Sequence, residues 1–189
     1  MALADFLRRD MAEGFQVGFN RSSSLRAVGR NLSSVKANSS ATREYLKKQL
    51  RQATIRLALS GEEVHNSLMG LIPKSGQPGK YRLIVDLSSP PGASVNDGID
   101  PELCSLSYSS VDEAICRVRA CGPGAWMAKL DLKSAYRRVP VHPDDQQLLG
   151  MSWEGLTFCD RALPFGLRSA PKLFTAVANG LSWALKCKG

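Results

Sequence analysis

The sequence predicts an α+β fold in which antiparallel strand pairs lie beside helices. Strand-forming residues at 64–73 and 81–87 flank a turn rich in Gly and Pro, and residues 147–153 and 156–163 flank Glu154-Gly155. Two strands joined by a short turn pair in antiparallel fashion. Other stretches show apolar residues at helical spacing and are predicted as helices, at 3–13, 39–59, 110–121 and 169–185.

The last two of these helices each have a face that we expect to be buried. The helix after Ser110 has a capping box formed by Ser110 and Glu113. Its predicted inward residues are Val111, Ala114, Ile115 and Val118. The helix that starts at Ser169 repeats an apolar residue every four positions, at Leu173, Val177, Leu181 and Leu185.

Length and composition exclude several classes of protein. The 189 residues are 43% hydrophobic, which suffices for a core, and no apolar run is long enough to cross a membrane. The first ten residues include Asp5, Arg8, Arg9 and Asp10 and lack the apolar centre of a signal peptide. We therefore expect a cytoplasmic or nuclear protein.

Cysteine and histidine are too sparse for a zinc site. The five cysteines contain no C-x-x-C pair, and there are two histidines. Neither zinc coordination nor a disulfide framework is predicted, so the cysteines are interpreted as free, buried thiols.

Positive charge is concentrated near the N-terminus. Residues 1–60 carry 11 Lys and Arg against 4 Asp and Glu, which accounts for most of the net charge of +8. We predict a basic helical segment at 1–60, with residues 15–36 as a loop or weakly ordered linker, followed by a second unit at 61–189. A basic segment attracts nucleic acid, although a solvated helix face is the plain alternative.

The helix predicted from Ser39 or Ser40 to about Leu59 carries a row of cations. Arg43, Lys47 and Arg51 are spaced four residues apart, so they lie on one face, which we term the basic stripe. Tyr45, Leu46, Leu50 and Ile55 are predicted to face the core. The stripe suits a nucleic-acid backbone.

An aspartate ends an apolar stretch in the middle of the chain. Residues 125–132 predict a strand buried on both faces, and a buried carboxylate is costly unless it is compensated. Asp131 therefore either caps the following turn or binds a cation. Residues 134–138 predict a helical turn that includes Tyr136.

Two motifs resemble the reverse transcriptases of retrotransposons. These are DLKSAYR with VPVHP, at 131–137 and 139–143, and LPFGLRSAP at 163–171. The resemblance implies that Asp131 binds catalytic Mg²⁺ and that Phe165 and Gly166 lie beside the incoming nucleotide. It further implies that Tyr136 rejects the ribose 2′-hydroxyl, although a core tyrosine is the alternative. We assign Arg168 and Lys172 to template or nucleotide.

The first predicted hairpin is similar to the fingers hairpin of the same family. Its tip carries Lys74 and Lys80, and Arg82 follows in the second strand. By resemblance, Lys74 and Arg82 contact the triphosphate; an exposed hairpin edge is the alternative. The VNDGI and LLGMSW segments are similar to those in reverse transcriptases of retrotransposons that encode a tyrosine recombinase.

Catalysis by this family needs more carboxylates than the motifs above supply. Two Mg²⁺ ions require several acidic ligands, and the family takes the others from a Tyr-x-Asp-Asp turn beyond the second motif. The sequence reaches Gly189 without that turn, and Asp144-Asp145 resembles a different family element. We therefore expect polymerase fingers and an incomplete palm that bind template–primer and deoxynucleoside triphosphate but are inactive alone. The alternative is a non-catalytic nucleic-acid-binding module from a decayed or host-captured retroelement.

Overall fold

The computed structural model describes residues 2–27, 29–129 and 131–188. The fold is α+β, as predicted. Six helices occur in the described residues: α1 (Ala2–Glu13), α2 (Ser33–Ala37), α3 (Ser39–Arg51), α4 (Val111–Cys121), α5 (Pro143–Gln146) and α6 (Ala170–Lys188). Strands occur at β1 (Ile55–Leu57), β2 (Leu68–Pro73), β3 (Tyr81–Asp86), β4 (Gly150–Trp153) and β5 (Leu156–Asp160).

The strands form two small antiparallel sheets. Strands β2 and β3 make a hairpin in which Leu68 lies opposite Asp86 and Pro73 lies opposite Tyr81. Strands β4 and β5 make the second predicted hairpin, and β1 extends it in the order β1-β5-β4. Both predicted hairpins are therefore confirmed.

The larger core joins the N-terminal segment to the residues before α6. Phe15 and Val17 are fully buried, together with Leu163 and Leu167. The amide of Phe15 donates to the carbonyl of Pro140 over 2.9 Å. Residues 15–36 were predicted as a loop or a weakly ordered linker, and the described residues before Ser33 do form a loop. That loop pairs with distant backbone, however, and the stretch ends in α2, so weak order is not what the structure shows.

The second core lies between helices α2 and α3 and the strands. Its buried members include Val35, Leu46, Met69 and Phe158. Helix α3 ends at Arg51 instead of Leu59, because the backbone turns at Ala53, whose φ is +53°. Ile55 is buried as predicted, but it belongs to β1.

Helix α4 differs from its prediction in what its apolar face contacts. Its cap is confirmed, since the amide of Glu113 donates to Ser110 Oγ over 3.1 Å. Every residue of the helix is nevertheless exposed, including the predicted inward residues Val111, Ala114, Ile115 and Val118. Periodicity locates an apolar face but does not supply the element that covers it.

The stretch that precedes Tyr136 is irregular. Residues 125–129, 131 and 132 form neither helix nor strand and are mostly exposed, and Leu130 lies outside the described residues. The predicted buried strand is therefore wrong for the described part of this stretch. A strand needs neighbouring backbone to pair with, and none of the described ladders includes these residues.

Helix α6 is buried at its start and exposed further along. Leu173 and Val177 pack on the larger core, whereas Leu181 and Leu185 are exposed. Only the first half of the predicted apolar seam is therefore covered by described residues. Among the described helices, none combines the length and apolarity needed to span a bilayer.

Candidate nucleotide and template site

The turn between β5 and α6 forms the centre of the candidate site. Residues 163–168 lead from the buried Leu163 to the start of α6, and Gly166 has a φ of +93°. A Cβ at Gly166 would lie 3.5 Å from the carbonyl oxygen of Val85. The turn therefore approaches the base of the β2–β3 hairpin closely, and its backbone conformation favours glycine.

Asn96 holds this turn in place. Its side-chain amide donates to the carbonyl of Gly166 over 2.8 Å and to Ser88 Oγ over 2.9 Å. Its Oδ1 accepts from the amide of Arg168 over 2.8 Å. Asn96 itself is 6% exposed, so its buried side-chain amide needs these partners within the protein. Sequence reasoning placed Asn96 in the VNDGI segment but found no role for it, because its partners are 70 and 72 residues away.

Three aromatic rings pack together at the turn. The ring of Tyr136 lies 5.3 Å from that of Phe165 and 5.5 Å from that of Phe174, measured between centroids. Phe165 is 56% exposed, whereas Tyr136 is partly buried. Burial, and secondarily the neighbouring Tyr108 hydroxyl, raises the pKa of Tyr136, so its hydroxyl is neutral at pH 7. The structure thus places Tyr136, Phe165 and Gly166 together, while Phe174 was not predicted as part of this cluster.

A buried ion pair lies next to the start of the turn. Arg137 Nη1 lies 2.6 Å from Asp160 Oδ1, and the side chains are 11% and 3% exposed. Arg137 also donates to the carbonyls of Ala162 and Thr54, over 3.0 and 3.1 Å. Burial raises the pKa of Asp160, and the Arg137 guanidinium opposes that rise. The residue after Tyr136 is therefore a structural anchor between β5 and the loop before β1.

The cations predicted to contact phosphate or template differ in whether they already bind other residues of the protein. Lys74 and Arg82 are exposed on the β2–β3 hairpin. Arg168 donates through Nη1 to the carbonyl of Ile99 over 2.8 Å, so part of its guanidinium holds the protein itself. Lys172 is exposed in the first turn of α6 and makes no ion pair with the described residues.

The basic stripe, which lies on α3, is exposed, but part of its charge is paired. Arg43 binds Glu154 through two hydrogen bonds, of 2.7 and 3.3 Å. Lys47 Nζ lies 3.9 Å from Glu44. Arg51 is exposed, and its Nε donates to the Lys47 carbonyl over 3.4 Å. Lys47 and Arg51 are accordingly more available than Arg43 for an external anion.

The carboxylates do not assemble a two-metal site within the part of the chain that the structure describes. Asp131 is exposed, and no group of three or more His, Cys, Asp or Glu in the described residues has metal-binding geometry. Asp145 is buried and accepts from the amide of Val17 over 2.7 Å and from the Arg21 guanidinium. Asp145 is thus a structural carboxylate, and the metal role of Asp131 stays a prediction.

Comparison with known proteins gives structural matches without sequence matches. No protein-family model and no curated protein matches the sequence. A foamy viral protease-reverse transcriptase in complex with double-stranded DNA is 20% identical, with a TM-score of 0.59 over 87% of this chain and 26% of that chain. Native Prototype Foamy Virus protease-reverse transcriptase is 19% identical, with a TM-score of 0.59 over 85% of this chain and 20% of that one.

A third solved structure gives the same result with broader coverage. A mutant of the Prototype Foamy Virus enzyme has a TM-score of 0.62 over 95% of this chain and 24% of that chain, at 18% identity. The chain spans 20–26% of the length of these three structures. The protein therefore has a reverse-transcriptase-like fold.

Proposed function

We propose that the chain forms the fingers and part of the palm of a retrotransposon reverse transcriptase, an RNA-directed DNA polymerase. In this proposal it binds an RNA or DNA template–primer and a deoxynucleoside triphosphate. The observation that carries it is the contact of Tyr136 with Phe165, on a turn that Asn96 fixes within a reverse-transcriptase-like fold. An element that encodes a tyrosine recombinase is the proposed source.

Each proposed contact uses a side chain with suitable chemistry and exposure. Lys74 and Arg82 would bind the triphosphate, since both are exposed cations on one hairpin. The exposed face of Phe165 and the backbone at Gly166 would lie against the nucleotide, with Tyr136 against the sugar. Lys172, with Arg168 as a partly engaged neighbour, would contact template phosphates.

The proposed cofactor is Mg²⁺, with Asp131 as one ligand. A metal ion bound there would neutralise charge on the triphosphate and the attacking oxygen. The carboxylates described here do not fit a pair of such ions, since Asp131 has no group of ligands around it in the described residues. We therefore propose that the chain on its own binds substrates without turnover. Primer extension that depends on both magnesium and Asp131 would contradict this part of the proposal.

Template–primer binding tests the proposal directly. A fluorescently labelled duplex with a single-stranded 5′ overhang is titrated with the protein, and anisotropy is followed at several salt concentrations. Lys172→Gln is expected to weaken binding at least about threefold and to reduce the salt slope by about one, because one phosphate contact is lost. Lys186→Gln is the matched control, since Lys186 is also exposed on α6. No binding at low salt, or equal losses in both variants, would contradict the proposal.

A second candidate function is a non-catalytic nucleic-acid-binding module. It is favoured by the exposure of Lys47 and Arg51 one turn apart on α3. This candidate predicts that Lys47→Gln/Arg51→Gln weakens duplex binding more than Lys172→Gln does. The same anisotropy titration distinguishes the two functions by which variant loses more affinity.

A further inference from the structure

A cavity lies between the N-terminal segment and the β4–β5 hairpin, and the proposed function does not use it. We term it the Trp153 cavity; it has a volume of about 300 Å³ and is lined in part by Arg30, Lys36, Ser67, Trp153 and Glu154. Its lining shares no residue with the Tyr136–Phe165 cluster. Cavities of this size accommodate small ligands.

Two side chains that line the cavity carry buried donors without a partner. The hydroxyl of Ser67 and the indole Nε1 of Trp153 are both buried, and neither has a hydrogen-bond partner among the described residues. Ser67 is 3% exposed. A buried polar atom that lacks a partner costs free energy, so such atoms mark places where a ligand or water adds a bond.

The cavity also has two cations with no protein counter-charge. Arg30 and Lys36 are exposed, and neither forms a hydrogen bond through its side chain or an ion pair with any described residue. The carboxylate that lines the cavity, Glu154, is already bound by Arg43 at 2.7 Å. The net charge that the lining offers to a ligand is therefore positive.

Two amide oxygens of the lining already accept a hydrogen bond within the protein. Asn31 Oδ1 accepts from the amide of Met69 over 2.9 Å, and Asn66 Oδ1 accepts from Ser152 Oγ over 2.8 Å. The two lining cations have no such partner among the residues that the structure describes, and the hydroxyl of Ser67 and the indole of Trp153 can each donate a further bond. A lining of this kind favours a ligand that is anionic and only accepts hydrogen bonds, as a phosphate group does.

We infer that the Trp153 cavity is a phosphate site that takes the phosphate group of a nucleotide, whether free or at the end of a strand. Arg30 and Lys36 supply the charge, and Arg30 can offer two N–H groups to two phosphate oxygens. This inference does not depend on the proposed polymerase function, since a nucleotide-binding cavity is compatible with either candidate.

The indole of Trp153 provides a local spectroscopic probe. The chain has three tryptophans, and Trp126 and Trp183 are exposed, so Trp126→Phe and Trp183→Phe identify the third indole N–H resonance. The ¹⁵N-labelled full chain is titrated with 2′-deoxyadenosine 5′-monophosphate, and 2′-deoxyadenosine is the matched ligand without phosphate. We expect a saturable shift of the Trp153 resonance with the monophosphate only.

Further ligands identify the source of the phosphate group. Inorganic phosphate tests the group alone, and a 5′-phosphorylated hexadeoxynucleotide tests a strand end. Binding of phosphate as tight as that of the monophosphate would show that the nucleoside adds no affinity and would overturn the assignment to a nucleotide. Binding of the hexanucleotide at least about tenfold tighter would assign it to a strand end, because neighbouring phosphates add charge.

Two variants change the affinity in opposite directions. Arg30→Ala/Lys36→Ala is expected to raise the Kd for the monophosphate at least about tenfold, since both free cations are lost. Glu154→Gln is expected to lower the Kd about threefold, because it removes the lining carboxylate and releases Arg43. A gain of affinity cannot result from misfolding, and Lys186→Gln, which lies outside the cavity, should leave the Kd unchanged.

The inference would also be overturned by any of three further results. These are the absence of a saturable Trp153 shift, an equal shift with 2′-deoxyadenosine, and an unchanged Kd in Arg30→Ala/Lys36→Ala. Template–primer binding measured on the same variants is a separate readout. Its loss or retention bears on the proposed function and leaves the test of the cavity intact.

Discussion

Asn96 is a single side chain on which the geometry of the candidate site depends. The side-chain amide of Asn96 forms hydrogen bonds with the backbone on both sides of Leu167, at Gly166 and at Arg168, and so fixes the turn at two points. Asn96→Ala leaves both backbone groups without these partners and is expected to lower the free energy of unfolding by about 2 kcal/mol. Urea denaturation followed by far-UV circular dichroism measures this change.

A surface asparagine provides the control for that experiment. Asn20 is exposed, and its Oδ1 accepts a local bond from the amide of Ser22 over 3.0 Å. Asn20→Ala should therefore change the free energy of unfolding by no more than about 0.5 kcal/mol. Equal values for the two variants would show that Asn96 does not hold the turn.

Glu62 makes stability depend on pH. It binds Arg56 through hydrogen bonds of 2.6 and 2.8 Å and accepts from the amide of Leu59 over 2.8 Å. The bond to Arg56, followed by the one from Leu59, lowers the pKa of Glu62 to about 2. Because the pKa is lower in the folded state, the ionised carboxylate stabilises the fold above about pH 4.5, and this contribution is lost as pH falls through about 2.

The comparison of Glu62→Gln with the unmodified chain tests that dependence. The difference between their free energies of unfolding should be largest at pH 7 and should shrink progressively below about pH 4.5. Glu113→Gln is the control, because Glu113 pairs with Arg117 on the exposed surface of α4. A Glu62→Gln difference that is constant from pH 7 to pH 3 would contradict the role assigned to this pair.

At the level of elements, the end of α1 is fixed by close backbone contact. Gly14 has a φ of +100°, and a Cβ there would lie 2.5 Å from the backbone nitrogen of His142. Gly14→Ala is expected to cost at least about 3 kcal/mol, since steric overlap adds to the unfavourable φ. Gly92 has a φ of +80° with nothing within 4 Å of its Cβ position, so Gly92→Ala should cost about 1 kcal/mol.

Thermal or urea unfolding of the two glycine variants separates the cost of steric overlap at Gly14 from the cost of a positive φ, which both positions share. A larger loss for Gly14→Ala than for Gly92→Ala shows that the contact between α1 and residues 141–142 stabilises the fold. Similar losses would mean that the backbone conformation alone matters and that α1 is not held against residues 141–142.

Helix α4 should contribute little to the stability of the described fold. Ile115 is 42% exposed on α4, whereas Ile99 is 1% exposed in the larger core. Ile99→Ala is expected to cost about 3 kcal/mol and Ile115→Ala less than about 0.5 kcal/mol. A loss above about 1 kcal/mol in Ile115→Ala would show that something covers this face in solution.

For the whole molecule, local sequence patterns predicted where helices and strands form better than they predicted what each element packs against. Both hairpins, the cap at Ser110 and the start of α6 follow from turn residues and periodicity close in sequence. Tyr136 and Phe165 were assigned to one site by resemblance, and their rings do lie together. The boundary at residue 60, the metal role of Asp131 and the contacts of Lys74, Arg82 and Lys172 stay predictions.

The remaining features depend on contacts that no local pattern encodes. Phe15 is buried because it pairs with backbone at 140–142, which the polar composition of 15–36 does not reveal. Residues 125–132 have the composition of a buried strand, but a strand also needs a neighbour. Arg137 resembles a surface cation in sequence, yet it is buried beside Asp160. No local pattern predicts this pair, because Asp160 lies 23 residues further along the chain.

Photocrosslinking of a template–primer to the protein tests the central claim most directly. A photoreactive base at the templating position is crosslinked to the full chain, and the modified peptides are mapped by mass spectrometry. We predict crosslinks within residues 134–138 and 163–174, where Tyr136, Phe165 and Phe174 meet. Crosslinks confined to α3 or to the lining of the Trp153 cavity, with none in these two segments, would contradict the account.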